Sequence, residues 1–391
     1  MTRPTKTLKL SVVLTACALS LAAQAAEPLK IGMVLPMSGP FSAYGKQIEH
    51  GARLYLEQSG GTFSGRKVEL IIKDDTGVAP EISKRAAQEL VVKDKVDILA
   101  GFGLTPSAFA VAPIATEAKK PMIVMNAATS SITTKSDYIL RVSHTLPMVT
   151  APIATWAAKN NIKKVFTLVA DYGPGHDAEA QFKKTFTAAG GEVVGEVRTP
   201  VKNPDFAPFL QKIKDAKPQA VFLFVPPGEQ TIAFTKGFVE RDLAKAGIRI
   251  IATGDLTGED VIDGVGDNAL GIVNSMHYSE THNSPENKAY VAAYYKAYPK
   301  DRPDFMSVGG YDGLQLIAKT LEKTGGDATG DKFMAAAKGM AWTSPRGPVS
   351  IDPQTRDIVQ TIYIRKVEKV NGKLQNMEFE SIPNVKDPGK Q

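Results

Sequence analysis

Cysteine and histidine are scarce in this sequence, and their scarcity excludes most catalytic and metal-binding chemistry. Cys17 is the only cysteine among 391 residues, so no disulfide can form within the chain and no cluster of thiolates can bind a metal. No pair of histidines has the spacing of a helical zinc motif, and no G-x-S-x-G motif follows an apolar segment. We therefore expect no enzyme activity, no catalytic residue, no metal site and no cofactor. The histidines are expected on the surface or hydrogen-bonded in the interior; they are His50, His144, His176, His277 and His282.

The start of the chain has the three parts of a signal peptide. Three basic residues precede an apolar run over residues 10–23, and Ala23-Gln24-Ala25 is a cleavage site of the A-x-A type. The apolar run is too short to span a membrane, and no longer run follows it. We therefore predict that residues 1–25 are removed on export and that the mature chain begins at Ala26.

A second interpretation of the same segment depends on Cys17. Leu14-Thr15-Ala16-Cys17 resembles the lipobox of bacterial lipoproteins, in which the chain is cut before the cysteine and lipid is attached to it. Because the apolar run continues past Cys17 to the later cleavage site, we favour a free exported protein over a lipid-anchored one.

The charged residues do not indicate a nucleic-acid partner. The formal net charge is +6, and it falls to +3 without the first 25 residues, which include three basic and no acidic side chains. The lysines are scattered, and no basic run is interleaved with aromatic residues. Hydrophobic residues make up 43% of the chain, which favours folded cores over disorder, and the length fits two domains.

The same order of strands and helices occurs twice along the chain. Short apolar segments alternate with amphipathic ones, which is typical of a parallel sheet covered by helices on both faces. We therefore predict an α/β fold with two doubly wound parallel-sheet lobes. Ligands of such sheets bind beyond the carboxyl ends of the strands, so two facing lobes can form one cleft that closes by hinge bending. The predicted strands are 29–35, 68–72, 96–100 and 122–125 in the first copy, and 165–170, 192–197, 220–225 and 248–251 in the second.

Two loops of the first copy have the composition of a carboxylate site. The loop over 101–107 contains Phe102, Thr105 and Ser107, and the loop over 126–130 contains Ala127, Ala128 and Thr129. Each loop follows a predicted strand, and hydroxyls near the start of a helix suit a carboxylate because the free amides and the helix dipole favour negative charge. The alternative is that Thr105 and Thr129 only cap helices.

In the second copy, Tyr172 and Asp255 come at equivalent positions after their strands. Asp255 can pair with a ligand ammonium, or it can cap the helix that follows; the sequence favours neither. Gly173-x-Gly175-x-x-Ala178 has the form of a loose dinucleotide fingerprint, but Pro174 lies between the glycines. A tight turn that presents Tyr172 to the cleft is the simpler interpretation.

Several segments, in this order and at this spacing, resemble one family of proteins. They are Met37-Ser38-Gly39-Pro40, Tyr44-Gly45, Ala127-Ala128-Thr129, Asp171-Tyr172-Gly173-x-Gly175 and Asp205-Phe206. Over nearly all of the mature chain the sequence is similar to the periplasmic leucine/isoleucine/valine-binding family, the type I solute-binding proteins of ABC importers. The resemblance implies a three-segment hinge with crossings near Ser143, Ser275 and Gly347. Lobe one would then include 26–143 and 276–347, and lobe two 144–275 and 348–391.

The resemblance also implies roles for individual residues. Thr105 matches a position that binds the ligand carboxylate, and Ala127 and Thr129 match positions that contact the ammonium and the carboxylate. Tyr44 and Tyr172 match aromatic walls of the cleft, and Asp255 matches an acidic position that binds the ammonium. Two departures weaken the ammonium half: Asp255 stands where the family has glutamate, and a family tyrosine falls at about Pro226 or Pro227.

The function implied is therefore the periplasmic binding component of an ABC importer for a branched-chain or other amino acid. Because Tyr44, Phe102 and Tyr172 are aromatic, an aromatic carboxylate of the benzoate or 4-hydroxybenzoate type is the alternative ligand. A ligand sensor for a membrane receptor is the alternative role. The expected partners are a small carboxylate ligand and the ABC permease at the inner membrane, with the protein itself a monomer.

Overall fold

The computed structural model describes residues 27–390, and its strands form two sheets. The predicted signal peptide and Cys17 lie outside the described residues. The first part of the chain alternates strands and helices: β1 (Leu29–Leu35), α1 (Ser42–Gln58), β2 (Thr62–Phe63), β3 (Arg66–Asp74), α2 (Pro80–Val92), β4 (Ile98–Gly101), α3 (Thr105–Glu117), β5 (Met122–Val124) and β6 (Ile139–Arg141).

The second part repeats this alternation. Its elements are α4 (Leu146–Lys159), β7 (Lys164–Ala170), α5 (Gly173–Ala188), β8 (Glu192–Thr199), α6 (Ala207–Ala216), β9 (Ala220–Phe224), α7 (Glu229–Glu240), β10 (Arg249–Thr253), α8 (Ile262–Val265) and β11 (Val273–Met276). All five residues of β9 are buried, as expected of a parallel strand that is covered on both faces. The prediction of two α/β lobes is confirmed.

The last part returns to the first lobe and then adds an antiparallel region. It contains α9 (Pro285–Ala297), α10 (Phe305–Thr324), α11 (Gly330–Ala337), β12 (Ala341–Ser344), β13 (Gly347–Ile351), β14 (Ile358–Val370) and β15 (Lys373–Val385). Helix α10 packs closely on α1: a Cβ at Gly51 would lie 1.8 Å from the Ser307 carbonyl oxygen, so only glycine permits this approach. An Asp304 capping box starts α10 beside the cleft.

The sheets are mixed rather than purely parallel. The first has the order β2-β3-β1-β4-β5-β6, in which β2 runs antiparallel to β3. The second has the order β12-β13-β14-β11-β10-β9-β7-β8, with β15 on β14, and β14 runs antiparallel to β11. Asn371 and Gly372 join β14 to β15 with φ values of 52° and 79°, the left-handed pair that a two-residue hairpin turn requires.

The chain passes from the first sheet to the second after β6, and after β11 it returns to the first lobe through helices α9 and α10, which pack on α1. Strand β13 pairs with β14 and β12 pairs with β13, so both continue the second sheet. Ser344 of β12 also donates a hydrogen bond to Asp312 of α10 in the first lobe. This ribbon therefore touches both lobes. Among residues 27–390, no helix is both long enough and apolar enough to cross a membrane.

Candidate ligand-binding site between the lobes

A small cavity lies where the carboxyl ends of the parallel strands of both lobes face each other. Its empty volume is about 330 Å³, a figure that includes space open to solvent at its mouth. Its walls combine aromatic rings, a few polar side chains and the starts of two helices. The lining residues are Tyr44, Gly103, Leu104, Thr105, Asn126, Ala127, Ala128, His144, Leu146, Tyr172, Pro174, Phe224, Pro227, Asp255 and Phe305.

In lobe one, the start of α3 and the loop after β5 bring two hydroxyls together. Thr105 is the first residue of α3, and Thr105 Oγ1 lies 2.9 Å from Thr129 Oγ1. The capping position belongs to Leu104, which makes no side-chain capping bond, so Thr105 is not a cap. The first amides of a helix have no acceptor within the helix. These amides and the hydroxyl pair form a donor-rich end that suits a carboxylate.

In lobe two, helix α5 points its own start at the same place. It begins at Gly173, and Tyr172 at its capping position makes no side-chain capping bond. A Cβ at Gly173 would lie 2.6 Å from Thr129 Oγ1, so the backbone of lobe two approaches the hydroxyl pair of lobe one directly. Two uncapped helix starts therefore face each other across the cleft, and both dipoles favour an anion between them.

Contacts across the cleft show that the lobes are closed. The Tyr44 hydroxyl on α1 donates to the Pro227 carbonyl oxygen at 3.2 Å. The Ser130 amide donates to Asp177 Oδ2 at 2.7 Å. Each contact joins one lobe to the other across the cleft.

Aromatic rings form the apolar walls of the cavity. The Tyr172 ring stacks on Phe224 with a centroid distance of 6.1 Å and an interplanar angle of 14°. Tyr44 and Phe305 line the cavity from lobe one. Flat rings offer large apolar contact to a flat ligand at little cost in side-chain entropy.

Asp255 is the carboxylate that lines the cavity. It lies in a short 3-10 turn after β10, and its Oδ2 accepts the Thr253 hydroxyl at 2.7 Å. Burial raises the pKa of Asp255 to about 6, and the Thr253 hydrogen bond opposes this rise. Thr253 holds the capping position of the turn, so Asp255 is not the cap, and its charge depends on what shares the cavity with it.

Arg141 on β6 supports the loop that contains Ala127 and Thr129. Its guanidinium is fully buried and pairs with Asp357 at 2.8 Å. It also donates to the carbonyl oxygens of Ala127, Thr129 and Ser130 at 3.1, 2.7 and 3.0 Å. One cation therefore fixes three carbonyl groups of the loop and with them the position of Thr129.

The structure brings most of the predicted site residues together. Seven of them line the cavity: Tyr44, Thr105, Ala127, Ala128, Tyr172, Pro227 and Asp255. Thr129 does not line the cavity itself but contacts Thr105, which does. Phe102 and Ser107 do not line it. Phe102 has φ 65°, and this left-handed turn after β4 directs its ring into the lobe-one core, while Ser107 is buried in the first turn of α3.

Sequence reasoning did not single out eight other lining residues. Asn126 lies two residues after the end of β5, within the candidate loop over 126–130, and its amide donates to the Gly103 carbonyl oxygen at 2.8 Å. Phe305 had no local signal, since it reaches the cavity only because α10 packs on α1. The eight are Gly103, Leu104, Asn126, His144, Leu146, Pro174, Phe224 and Phe305.

The expectation for histidine is wrong at two positions. His176 and His282 pair with Asp171 and Glu378, as expected of polar histidines. His144 and His277, in contrast, are fully buried, and among residues 27–390 neither ring has a hydrogen-bond partner. Both lie on segments that cross between the lobes, so tertiary packing decides their burial.

Two lobes closed over one small cavity with a donor-rich end define a solute-binding protein. The family model described as periplasmic binding protein matches residues 28–373. The chain therefore belongs to the periplasmic binding protein family, and the resemblance seen in the sequence is confirmed.

The related proteins are associated with two classes of ligand, branched-chain amino acids and hydroxybenzoates. A protein of Brucella melitensis named Leu/Ile/Val-binding protein homolog 6 is 46% identical over 383 residues, covering 97% of this chain and 98% of that protein. A solute-binding protein of an ABC transporter from Rhodopseudomonas palustris BisB5, solved with 3,4-dihydroxybenzoic acid, is 55% identical with a TM-score of 0.90, covering 93% of this chain and 99% of that one. Another from R. palustris, solved with 4-hydroxybenzoate, is 45% identical with a TM-score of 0.90, covering 93% and 100%.

Proposed function

We propose that this protein binds a hydroxylated benzoate in the closed cleft and delivers it to an ABC importer. The observation that carries the proposal is the pairing of a donor-rich end, at Thr105, Thr129 and two helix starts, with flat aromatic walls. The donor-rich end suits the carboxylate, and the walls suit the ring. The two R. palustris neighbours, which were solved with hydroxybenzoates, support this choice.

We propose that the two lobes close over the ligand as it binds. Lobe one offers the hydroxyl pair and the start of α3 to the carboxylate, and lobe two then adds Gly173, Tyr172 and Pro227. The ligand stabilises the closed form because it contacts both lobes only there. We propose that the crossings near Ser143, Ser275 and Gly347 bend as the hinge, with the lobe division given by the sequence.

The cellular role completes the proposal. The predicted signal peptide supports export to the periplasm, where the protein would act as a monomer without catalysis. Membership of the periplasmic binding protein family supports a permease partner over a sensor role. A permease then recognises the outer faces of the closed lobes.

Calorimetric titration of unfolded and refolded protein, which removes carried-over ligand, tests the ligand class. We expect 4-hydroxybenzoate and 3,4-dihydroxybenzoate to bind at least about 100-fold more tightly than leucine, isoleucine, valine or phenylalanine, because a buried ammonium without a full set of acceptors loses about 3 kcal/mol. Tight binding of a branched-chain amino acid without binding of either aromatic acid would overturn the proposal.

A branched-chain amino acid is the second candidate, and Asp255 is the observation that favours it. Its carboxylate lines the cavity and can accept an ammonium. The Brucella relative with a Leu/Ile/Val-binding name points the same way. The titration above separates the two candidates, and substitution of Asp255 separates them independently.

Asp255→Asn is expected to affect the two ligand classes in opposite directions. An ammonium would lose its counter-ion, so leucine affinity would fall by about 100-fold. For an aromatic carboxylate, the substitution removes a negative charge of the protein that repels the ligand. The affinity of the aromatic carboxylate would therefore rise at pH 8, where Asp255, with a pKa of about 6, is ionised.

The pH dependence of ligand affinity tests whether the charge on Asp255 opposes binding of an anion. Because the pKa of Asp255 is raised to about 6 in the closed form, ionisation as pH rises opposes closure over an anion. At pH 5 the wild-type side chain is largely protonated, so the advantage of Asp255→Asn for 4-hydroxybenzoate should shrink there. Titrations of both proteins at pH 5 and pH 8 measure this difference. A loss of 4-hydroxybenzoate affinity as large as that of leucine contradicts the assignment.

A further inference from the structure

Two imidazoles lie side by side on the crossing segments next to the cavity. The rings of His144 and His277 have a centroid distance of 5.0 Å and an interplanar angle of 32°. The Phe305 ring meets both edge to face, at 5.7 Å from His144 and 6.0 Å from His277. His144 lines the cavity together with Phe305, whereas His277 lies behind it and does not.

All four ring nitrogens are buried and lack a hydrogen-bond partner within the described part of the chain. Burial, assisted by Arg141 and Arg346, lowers the pKa of His144 to about 3, so the ring is neutral at physiological pH. A neutral imidazole has one donor and one acceptor. Buried polar groups of folded proteins are nearly always satisfied, so an unsatisfied ring on a cavity wall is suited to a partner from the ligand.

Most of the other polar side chains on the wall are already engaged, while the Tyr172 hydroxyl, which has no partner among residues 27–390, belongs to a half-buried side chain. The Asn126 amide donates to Gly103, the Tyr44 hydroxyl to Pro227, and Asp255 accepts from Thr253. Thr105 and Thr129 bind each other at the donor-rich end. His144 therefore stands out as the cavity-lining side chain whose polar atoms are fully buried and unpaired among residues 27–390.

We propose that His144 hydrogen-bonds the ring hydroxyl of the bound benzoate and so determines the preference for hydroxylated over plain benzoates. This inference rests on the proposed function, because it assumes that the carboxylate occupies the Thr105–Thr129 end. A ligand without the hydroxyl leaves the imidazole unsatisfied in a closed cavity, and a site with an unpaired buried polar group rejects such a ligand. A neutral imidazole nitrogen can accept a hydrogen bond from the phenol hydroxyl. Because the ring carries no charge, it does not attract a second anion.

The test compares 4-hydroxybenzoate with benzoate in calorimetric titrations of wild type and four variants, one of which is Asp255→Asn. Wild type should prefer 4-hydroxybenzoate. His144→Phe keeps the edge-to-face packing on Phe305 but removes both nitrogens, and it should lower the preference by about 10-fold, the effect of one neutral hydrogen bond. His277→Phe is the matched control, because it removes the same groups outside the wall, and its preference should stay within about 3-fold of wild type. His144→Leu repeats the test should His144→Phe not fold.

Each outcome has a distinct meaning. Benzoate affinity should not fall in His144→Phe and should rise if anything, because the imidazole that benzoate leaves unsatisfied is gone; retained benzoate binding also shows that the variant is folded. An unchanged preference for 4-hydroxybenzoate in a folded His144 variant overturns the inference. An equal loss of that preference in His277→Phe also overturns it, because the effect would then come from the hinge and not from the cavity wall. A loss of preference in Asp255→Asn instead of His144→Phe would assign the hydroxyl to Asp255. If wild type binds neither aromatic acid, the proposed function has failed before any variant is compared.

Discussion

Replacing Arg141 by leucine is expected to lower the free energy of unfolding by about 3–5 kcal/mol, the usual loss when one partner of a buried ion pair is removed. The guanidinium is fully buried, pairs with Asp357 and donates to three carbonyl oxygens of the loop over 127–130. Lys390 also contacts Asp357, so the loss reflects the orphaned carbonyls as well as the ion pair. Urea unfolding of the ligand-free protein measures it.

Arg53→Leu is the matched control for this prediction. Arg53 also pairs with a carboxylate, Glu49 on the same helix, but its side chain is 49% exposed and that of Glu49 is 18% exposed. Ion pairs of this kind at the surface contribute at most about 1 kcal/mol, so this variant should be close to wild type. Arg141→Leu should in addition weaken 4-hydroxybenzoate binding, because the Thr129 hydroxyl loses its support. Equal destabilisation by the two variants would contradict the role given to Arg141.

A single methyl group at Gly173 is expected to weaken 4-hydroxybenzoate binding by about 5- to 150-fold, equivalent to about 1–3 kcal/mol of overpacking. In the closed form the new Cβ would lie 2.6 Å from Thr129 Oγ1 and 3.6 Å from Thr105 Cγ2. Both threonines belong to the opposite lobe, so the clash arises only on closure. The free energy of unfolding of the ligand-free, open protein should therefore change by no more than about 0.5 kcal/mol.

Gly237→Ala provides the same substitution in a helix of the same lobe. A Cβ there meets only a methyl group of Leu210 at 2.8 Å, which is the flexible end of a side chain. Its affinity for 4-hydroxybenzoate should match wild type. Small-angle scattering with and without ligand shows whether Gly173→Ala closes. Full closure with wild-type affinity would mean that lobe two does not approach Thr129 as closely as the structure shows.

The sequence was sufficient where function depends on local position. Thr105, Asp255 and Tyr172 could be identified because each follows a strand, and the carboxyl ends of parallel strands meet at one edge of a sheet. The hairpin of β14 and β15 also had a readable signal, since Asn371-Gly372 is the preferred pair for a two-residue turn. It was overlooked because the alternation of strands and helices dominated the prediction of the fold.

Phe102 illustrates where a local pattern misleads. Its place directly after β4 predicts a cleft residue, but a φ of 65° turns the side chain towards the core beneath α3. The sequence does not indicate this conformation, because residues other than glycine rarely adopt it. Ser107, in the first turn of α3, is buried away from the cavity for a related reason, since the direction of a helical side chain depends on how the helix packs.

The sequence by itself determined the two α/β lobes, the positions of most strands and the donor-rich end of the site, because strand periodicity and loop position are local properties of the chain. Only the tertiary structure decided that Phe305 and His144 reach the cavity, that Arg141 fixes the Thr129 loop, and that Gly173 approaches Thr129 across the cleft. These contacts join segments far apart in the chain, and their distances follow from the packing of α10 on α1 and the closure of the lobes. No local pattern of residues contains that information.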